Sequence, residues 1–211
     1  MKTKNIATLI LGLAGLLLTS QGFAHHVADG EAPVSIMEGL LSGLAHPVIG
    51  IDHLAFLILM GAAASATPRR FLSPLVFVAG TIAGCLMVAA GTTFPGIEIA
   101  VILSVVVGGV LLLSGRRFSS SFYVGLFAVA GVFHGGAYGS SIIGAQIQPL
   151  LAYLIGFAAI QYAISVGVGQ FMTRAFADLT EKSIQPRLAG AVGASIGVVL
   201  LIENFEGVLM L

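Results

Sequence analysis

The sequence predicts an all-α, polytopic membrane protein with six transmembrane helices behind a cleaved signal peptide. Three observations predict it. Of 211 residues, 57% are hydrophobic and 9% are charged, against about 25% charge in a soluble domain. After residue 24, six apolar runs are long enough to cross a bilayer. Every Lys and Arg beyond residue 24 falls in alternate loops between those runs, the bias that sets orientation in membranes.

Residues 1–24 read as the signal peptide. Lys2 and Lys4 give a positive start, residues 6–18 an apolar centre, and Gly22 and Ala24 the small residues before a cut after Ala24. The apolar centre is short for a span. Residues 25–44 are expected to form an external N-terminal segment, and residues 45–211 the six-helix domain. The spans are expected at 45–66, 71–92, 97–114, 122–143, 150–172 and 188–202, joined by short polar loops.

Orientation follows from the basic residues. Arg69 and Arg70 follow span one, Arg116 and Arg117 span three, and Arg174, Lys182 and Arg187 span five. Those loops are expected in the cytoplasm, with both mature termini on the periplasmic side of a bacterial inner membrane. Signal cleavage requires the same external N-terminus. Asp29, Glu31, Glu38, Glu98, Glu203 and Glu206 fall outside or near outer ends, while Asp178 and Glu181 fall in a cytoplasmic loop. Acids on a face without Lys or Arg raise the local cation concentration. The plain alternative is that acids remain wherever basic residues are excluded.

Small residues at four-residue spacing mark packing faces. They are Gly80 and Gly84 in span two, Gly131, Gly135 and Gly139 in span four, and Ala189, Gly193 and Gly197 in span six.

Several functions are excluded. There is no basic patch for nucleic acid. Cys85 is the single cysteine, so neither an intrachain disulfide nor a multi-Cys metal cluster forms. Cys85 and Met87 supply too few sulfur ligands for a copper(I) path and read as packing. No Ser/His/Asp arrangement, phosphate loop or HExxH helix occurs, so an enzyme is not expected.

The informative residues are intramembrane. Span one contains HPVIGIDHLAFLILMG, with His46, Asp52 and His53 inside an apolar run. A carboxylate in a span costs roughly 2.5–3.5 kcal/mol even on lenient scales, so it normally faces a partner, cavity or ion path. Two imidazoles and a carboxylate are ligands for a divalent transition metal. On a straight helix His46 and His53 point the same way but stand about 10 Å apart. Pro47 cannot donate a backbone N–H, and Gly50 accepts unusual dihedrals. Either a broken turn brings the two histidines together, or they form successive stations on one path. Asp52 is then a ligand or a partner that orients an imidazole. A buried polar cluster that merely joins helices is the plain alternative.

His134 lies mid-span in GVFHGGAYGSS, with Tyr138 one turn later on the same face. His134 is expected to complete the metal site and Tyr138 to support it. Its plain reading is a histidine that donates to a neighbouring helix. Spans one and four each begin a three-span half and carry that half's intramembrane histidine, as a three-plus-three inverted repeat would arrange them. Cleavage after Ala24 would leave His25 as the N-terminus beside His26, an external capture site or simply a tail.

At these residues the chain resembles the HupE/UreJ family of bacterial membrane proteins. The resemblance rests on His46-Pro47-x-x-Gly50-x-Asp52-His53, on FHGGAYG over residues 133–139, and on the signal-plus-six-span layout. The first motif is also similar to the His-x4-Asp-His signature of nickel/cobalt permeases, with one extra residue between His46 and Asp52. The resemblance implies uptake of Ni²⁺ or Co²⁺, with no permanent cofactor, in association with hydrogenase- or urease-type maturation systems. A membrane accessory protein that delivers metal without transporting it is the second reading. Relatives often continue the second motif with acidic residues, where this chain has Ser140, Ser141 and Gln146. That departure bears on affinity and metal choice.

Overall fold

The computed structural model describes residues 32–116, 118–176, 179–180 and 182–209. The signal peptide, His25, His26, Asp29, Glu31, Arg117, Asp178 and Glu181 lie outside the described residues. Among those described, the chain is all-helical: α1 (Ile36–Ile49), α2 (Ile51–Ser65), α3 (Leu72–Ala89), α4 (Ile97–Ser114), α5 (Ser120–Gly139), a 3₁₀ turn (Ser140–Ile142), α6 (Ile147–Ala175) and α7 (Ile184–Leu209). Helices α3 to α7 are each long and apolar enough to span, and α1 and α2, bent at the break between them, pass the same test as a pair, which gives five spans or six.

The first helix begins at Ile36, well before residue 45. Ser35 Oγ accepts from the Glu38 N–H at 3.2 Å, and Glu38 Oε2 accepts from the Val34 N–H at 3.0 Å. This Ser-x-x-Glu start satisfies N–H groups that a helix end leaves over. The break falls where Pro47 and Gly50 foretell it. Pro47 withdraws one donor from α1, Gly50 is extended (φ −72°, ψ 109°), and α2 leaves at 77° to α1.

Helix α4 matches its expected bounds because Gly96 and Gly115 flank it in the left-handed region, at φ 69° and 61°. The last two helices run past their expected ends. Arg174, Arg187, Glu203 and Glu206 extend them beyond the apolar stretch, since the backbone ladder continues regardless of side-chain polarity.

Three helix pairs pack tightly around α2: α1 with α6, α3 with α5, and α4 with α7. Glycines allow the approach. A Cβ on Gly43 would overlap the Tyr153 carbonyl, and one on Gly135 the Thr81 carbonyl. In α7 the small residues divide. Gly190 and Gly197 meet α4, whereas Gly193 faces Leu59 of α2, so the expected single stripe serves two neighbours. The burial pattern is that of a bundle in lipid. His134, Gln161, Thr81 and Ser73 are 0% exposed, while Ile155 and Phe171 are 65% and 64% exposed.

The basic loops meet at one end. Arg69 Nη1 donates to Ser121 Oγ at 3.5 Å and Arg187 Nε to the Leu113 carbonyl at 3.1 Å. Ala66, Thr67, Arg116 and Pro186 line one shared pocket there.

Candidate functional site

The break between α1 and α2 creates the site. Helix ends carry backbone groups outside the intrahelical ladder, and here two such ends meet at Gly50. His46 sits just before the break; Asp52 and His53 occupy the first turn of α2. Asp52 Oδ1 accepts from the His53 N–H at 2.8 Å and lies 3.9 Å from His53 Nε2. The Asp52 side chain is 28% exposed and that of His53 9%. The carboxylate is therefore the more exposed of the two groups.

Helix α5 supplies the inner wall. The glycines around His134 let α5 lie against α3, which carries His134 to the His53 ring. The Nδ1 atoms of the two histidines are 2.8 Å apart. Tyr138 stacks on His53, with ring centroids at 4.0 Å and planes 28° apart. The same Tyr138 ring meets His46 edge-on at 4.8 Å.

Counting hydrogens fixes the direction of the chain behind His53. Ser104 Oγ donates its one proton to the Val101 carbonyl at 2.6 Å. It also lies 2.8 Å from His134 Nε2, so it must accept there. With neutral imidazoles, His134 then carries its proton on Nε2 and accepts at Nδ1. The proton between the histidines belongs to His53 Nδ1. His53 Nε2 is left with a lone pair on the edge of the ring that faces Asp52. A backing hydrogen bond that selects the tautomer of a ligating histidine is the usual support of a metal-binding imidazole.

His46 has separate partners. Its Nδ1 lies 3.1 Å from the Tyr153 hydroxyl and 3.4 Å from Ser141 Oγ. Ser141 Oγ donates to the Tyr138 carbonyl at 2.7 Å.

The structure thus joins His53 to Asp52 and to His134, and brings His46 edge-on to the same Tyr138 ring. Both nitrogens of His134 are engaged, one by His53 and one by Ser104. Among the described residues, no three His, Cys, Asp or Glu side chains converge as a metal-holding group. Cys85 is buried against Tyr138, Tyr153 and Phe157, in a packing role.

Sequence reasoning missed Ser104 and Tyr153 at this centre. Their one signal is that each is a polar side chain in the interior of a long apolar run.

Comparisons with known proteins agree with the resemblance. The family model for "HupE / UreJ protein" matches residues 13–200. The chain is similar to Protein HupE of Rhizobium leguminosarum bv. viciae, at 27% identity over 205 residues, covering 96% of this chain and 100% of that protein. No solved structure matches.

Proposed function

The chain belongs to the HupE/UreJ family, and from that premise we propose that it carries a divalent transition-metal ion, nickel or cobalt first, inward across the bacterial inner membrane. One observation carries this reading. At a break inside a membrane span, His53 Nε2 presents a lone pair beside the half-open Asp52 carboxylate. Imidazole nitrogen and carboxylate oxygen suit nickel and cobalt. Two donors with water completing the shell hold an ion loosely enough to pass it on.

The ion, as substrate, meets His46 and then Asp52 and His53. His134 and Ser104 hold the His53 ring in the ligating tautomer. Broken spans place half-helix ends at transported ions in many transporters, and the ending of α1 directs carbonyls, the negative end of the helix dipole, toward the break. The basic end of the bundle faces the cytoplasm and both termini the periplasm. A potential of 100 mV then favours entry of a divalent ion by about 4.6 kcal/mol, twice the value per single charge.

The helix pairing supports a three-plus-three inverted repeat. Exchanging spans one, two and three with four, five and six turns the α1·α6 pair into the α5·α3 pair and leaves α4·α7 unchanged. His53 and His134, one from each half, meet through the same ring atom.

Uptake of Ni²⁺ and Co²⁺ into proteoliposomes, wild type beside His53→Ala, tests the proposal. Saturable flux lost in a folded variant supports it. Metal bound at the membrane without flux assigns the chain to the accessory reading, delivery to a hydrogenase- or urease-type system.

A further inference from the structure

Gln161 on α6 is fully buried, yet its Oε1 has no hydrogen-bond partner. The amide cannot be turned around to satisfy it. Nε2 donates to the Phe157 carbonyl at 3.0 Å and to Thr81 Oγ1 at 3.3 Å, and a carbonyl only accepts. Buried polar atoms are nearly always paired, so an orphan calls for a reason.

The neighbouring hydroxyls have turned their protons away as well. Thr81 Oγ1 donates to the Val78 carbonyl at 2.8 Å, and Ser165 Oγ to the Gln161 carbonyl at 2.8 Å. Gln161 and Thr81, both 0% exposed, therefore bring oxygen lone pairs to one level of the bundle, while the Ser165 hydroxyl sits on the Gln161 carbonyl one turn further along α6.

That level lies directly inward of the broken span. Tyr138 bridges His53 and Phe157, with centroids at 4.0 and 4.5 Å. Eight residues further along both helices, Gly61 of α2 sits against the Ser165 carbonyl. The two helices thus descend in step, and the Gln161 backbone stands one turn, about 6 Å, deeper than Phe157, with its amide reaching back to the Phe157 carbonyl. Thr81 lies against Gly135, the residue after His134.

We propose that Gln161 Oε1, with the Thr81 hydroxyl oxygen, forms a second, inner station for a divalent transition-metal ion released from His53. The inference rests on the transport reading above and deepens it. Neutral oxygen donors hold nickel or cobalt weakly, which suits a point of release rather than of capture.

Two variants of the full chain test it, with Co²⁺ as the probe in detergent and in proteoliposomes. Gln161→Glu puts a charge on the orphan oxygen and is expected to trap the ion. It should bind one more equivalent of Co²⁺ than wild type, still present when combined with His53→Ala, and should transport more slowly. Gln161→Leu keeps the bulk without the acceptor. It should retain wild-type Co²⁺ affinity at the outer position and lose at least tenfold in uptake rate. No additional Co²⁺ in Gln161→Glu, or wild-type flux in Gln161→Leu, overturns the proposal. If Gln161→Glu does not fold, the flux of Gln161→Leu decides alone. If the wild type carries no flux, the transport reading has failed by itself, and the Co²⁺ count still decides whether the station exists.

Discussion

His53 and His134 meet Nδ1 to Nδ1 at 2.8 Å, with their rings 68° apart. A single proton occupies that contact, and Ser104, by donating to the Val101 carbonyl, assigns it to His53. The ligating edge of His53 is thus selected two residues away, on a third helix.

Ser104→Ala is expected to release this selection. His134 Nε2–H loses its acceptor in a buried place, which costs roughly 1–3 kcal/mol of stability. Loss of such a backing contact typically weakens metal binding about 10–100-fold. Ser104→Thr keeps the hydroxyl and should restore binding. Co²⁺ titration of the three proteins, beside their thermal unfolding in detergent, checks this. Equal affinities would show that Ser104 only packs.

Asp52→Asn separates charge from shape. The amide oxygen can still accept from the His53 N–H, as Asp52 Oδ1 does at 2.8 Å, so the start of α2 survives. The negative partner for a cation does not. Uptake should fall at least tenfold, about 1.4 kcal/mol by the usual conversion, with little change in melting temperature. Parallel loss of fold and flux would instead make Asp52 a helix cap.

Charges and turn-formers were legible in the sequence. Asp52, His53 and His134 stand out of apolar runs, Pro47 with Gly50 announces the 77° break, and Gly96 and Gly115 delimit α4. The start of α1 was missed, although Ser35 and Glu38 encode it, because hydropathy outweighed the capping pattern. Ser104 and Gln161 were missed for a different reason. A serine in a helix can satisfy itself on a carbonyl one turn back, as Ser104 does on Val101. Only the fold reveals that its remaining lone pair serves His134. The signal peptide and the histidine pair His25–His26 lie outside the described residues and remain expectations of the sequence.

Close packing of α3 on α5 sets the position of His134. A Cβ on Gly135 would overlap the Thr81 carbonyl, whereas one on Gly125 meets open space. Gly135→Ala should therefore lower stability by about 1–3 kcal/mol through overpacking. Gly125→Ala should be neutral or slightly stabilising, since alanine favours the helix. Thermal unfolding in one detergent compares them, and equal melting temperatures would mean that the two helices separate freely.

Ser141 follows the FHGGAYG string, and its Oγ lies 3.4 Å from His46 Nδ1. Ser141→Asp would set a carboxylate beside that imidazole and add the hard donor that this position lacks. A charge-assisted partner both strengthens the imidazole as a donor and attracts the cation. The variant should bind Ni²⁺ and Co²⁺ about tenfold more tightly at the His46 position. Tighter capture slows departure, so KM should fall while the maximal rate falls with it. A lower KM at an unchanged maximal rate would mean that release from His46 is not on the slow part of the path. An unchanged KM would remove His46 from the path altogether.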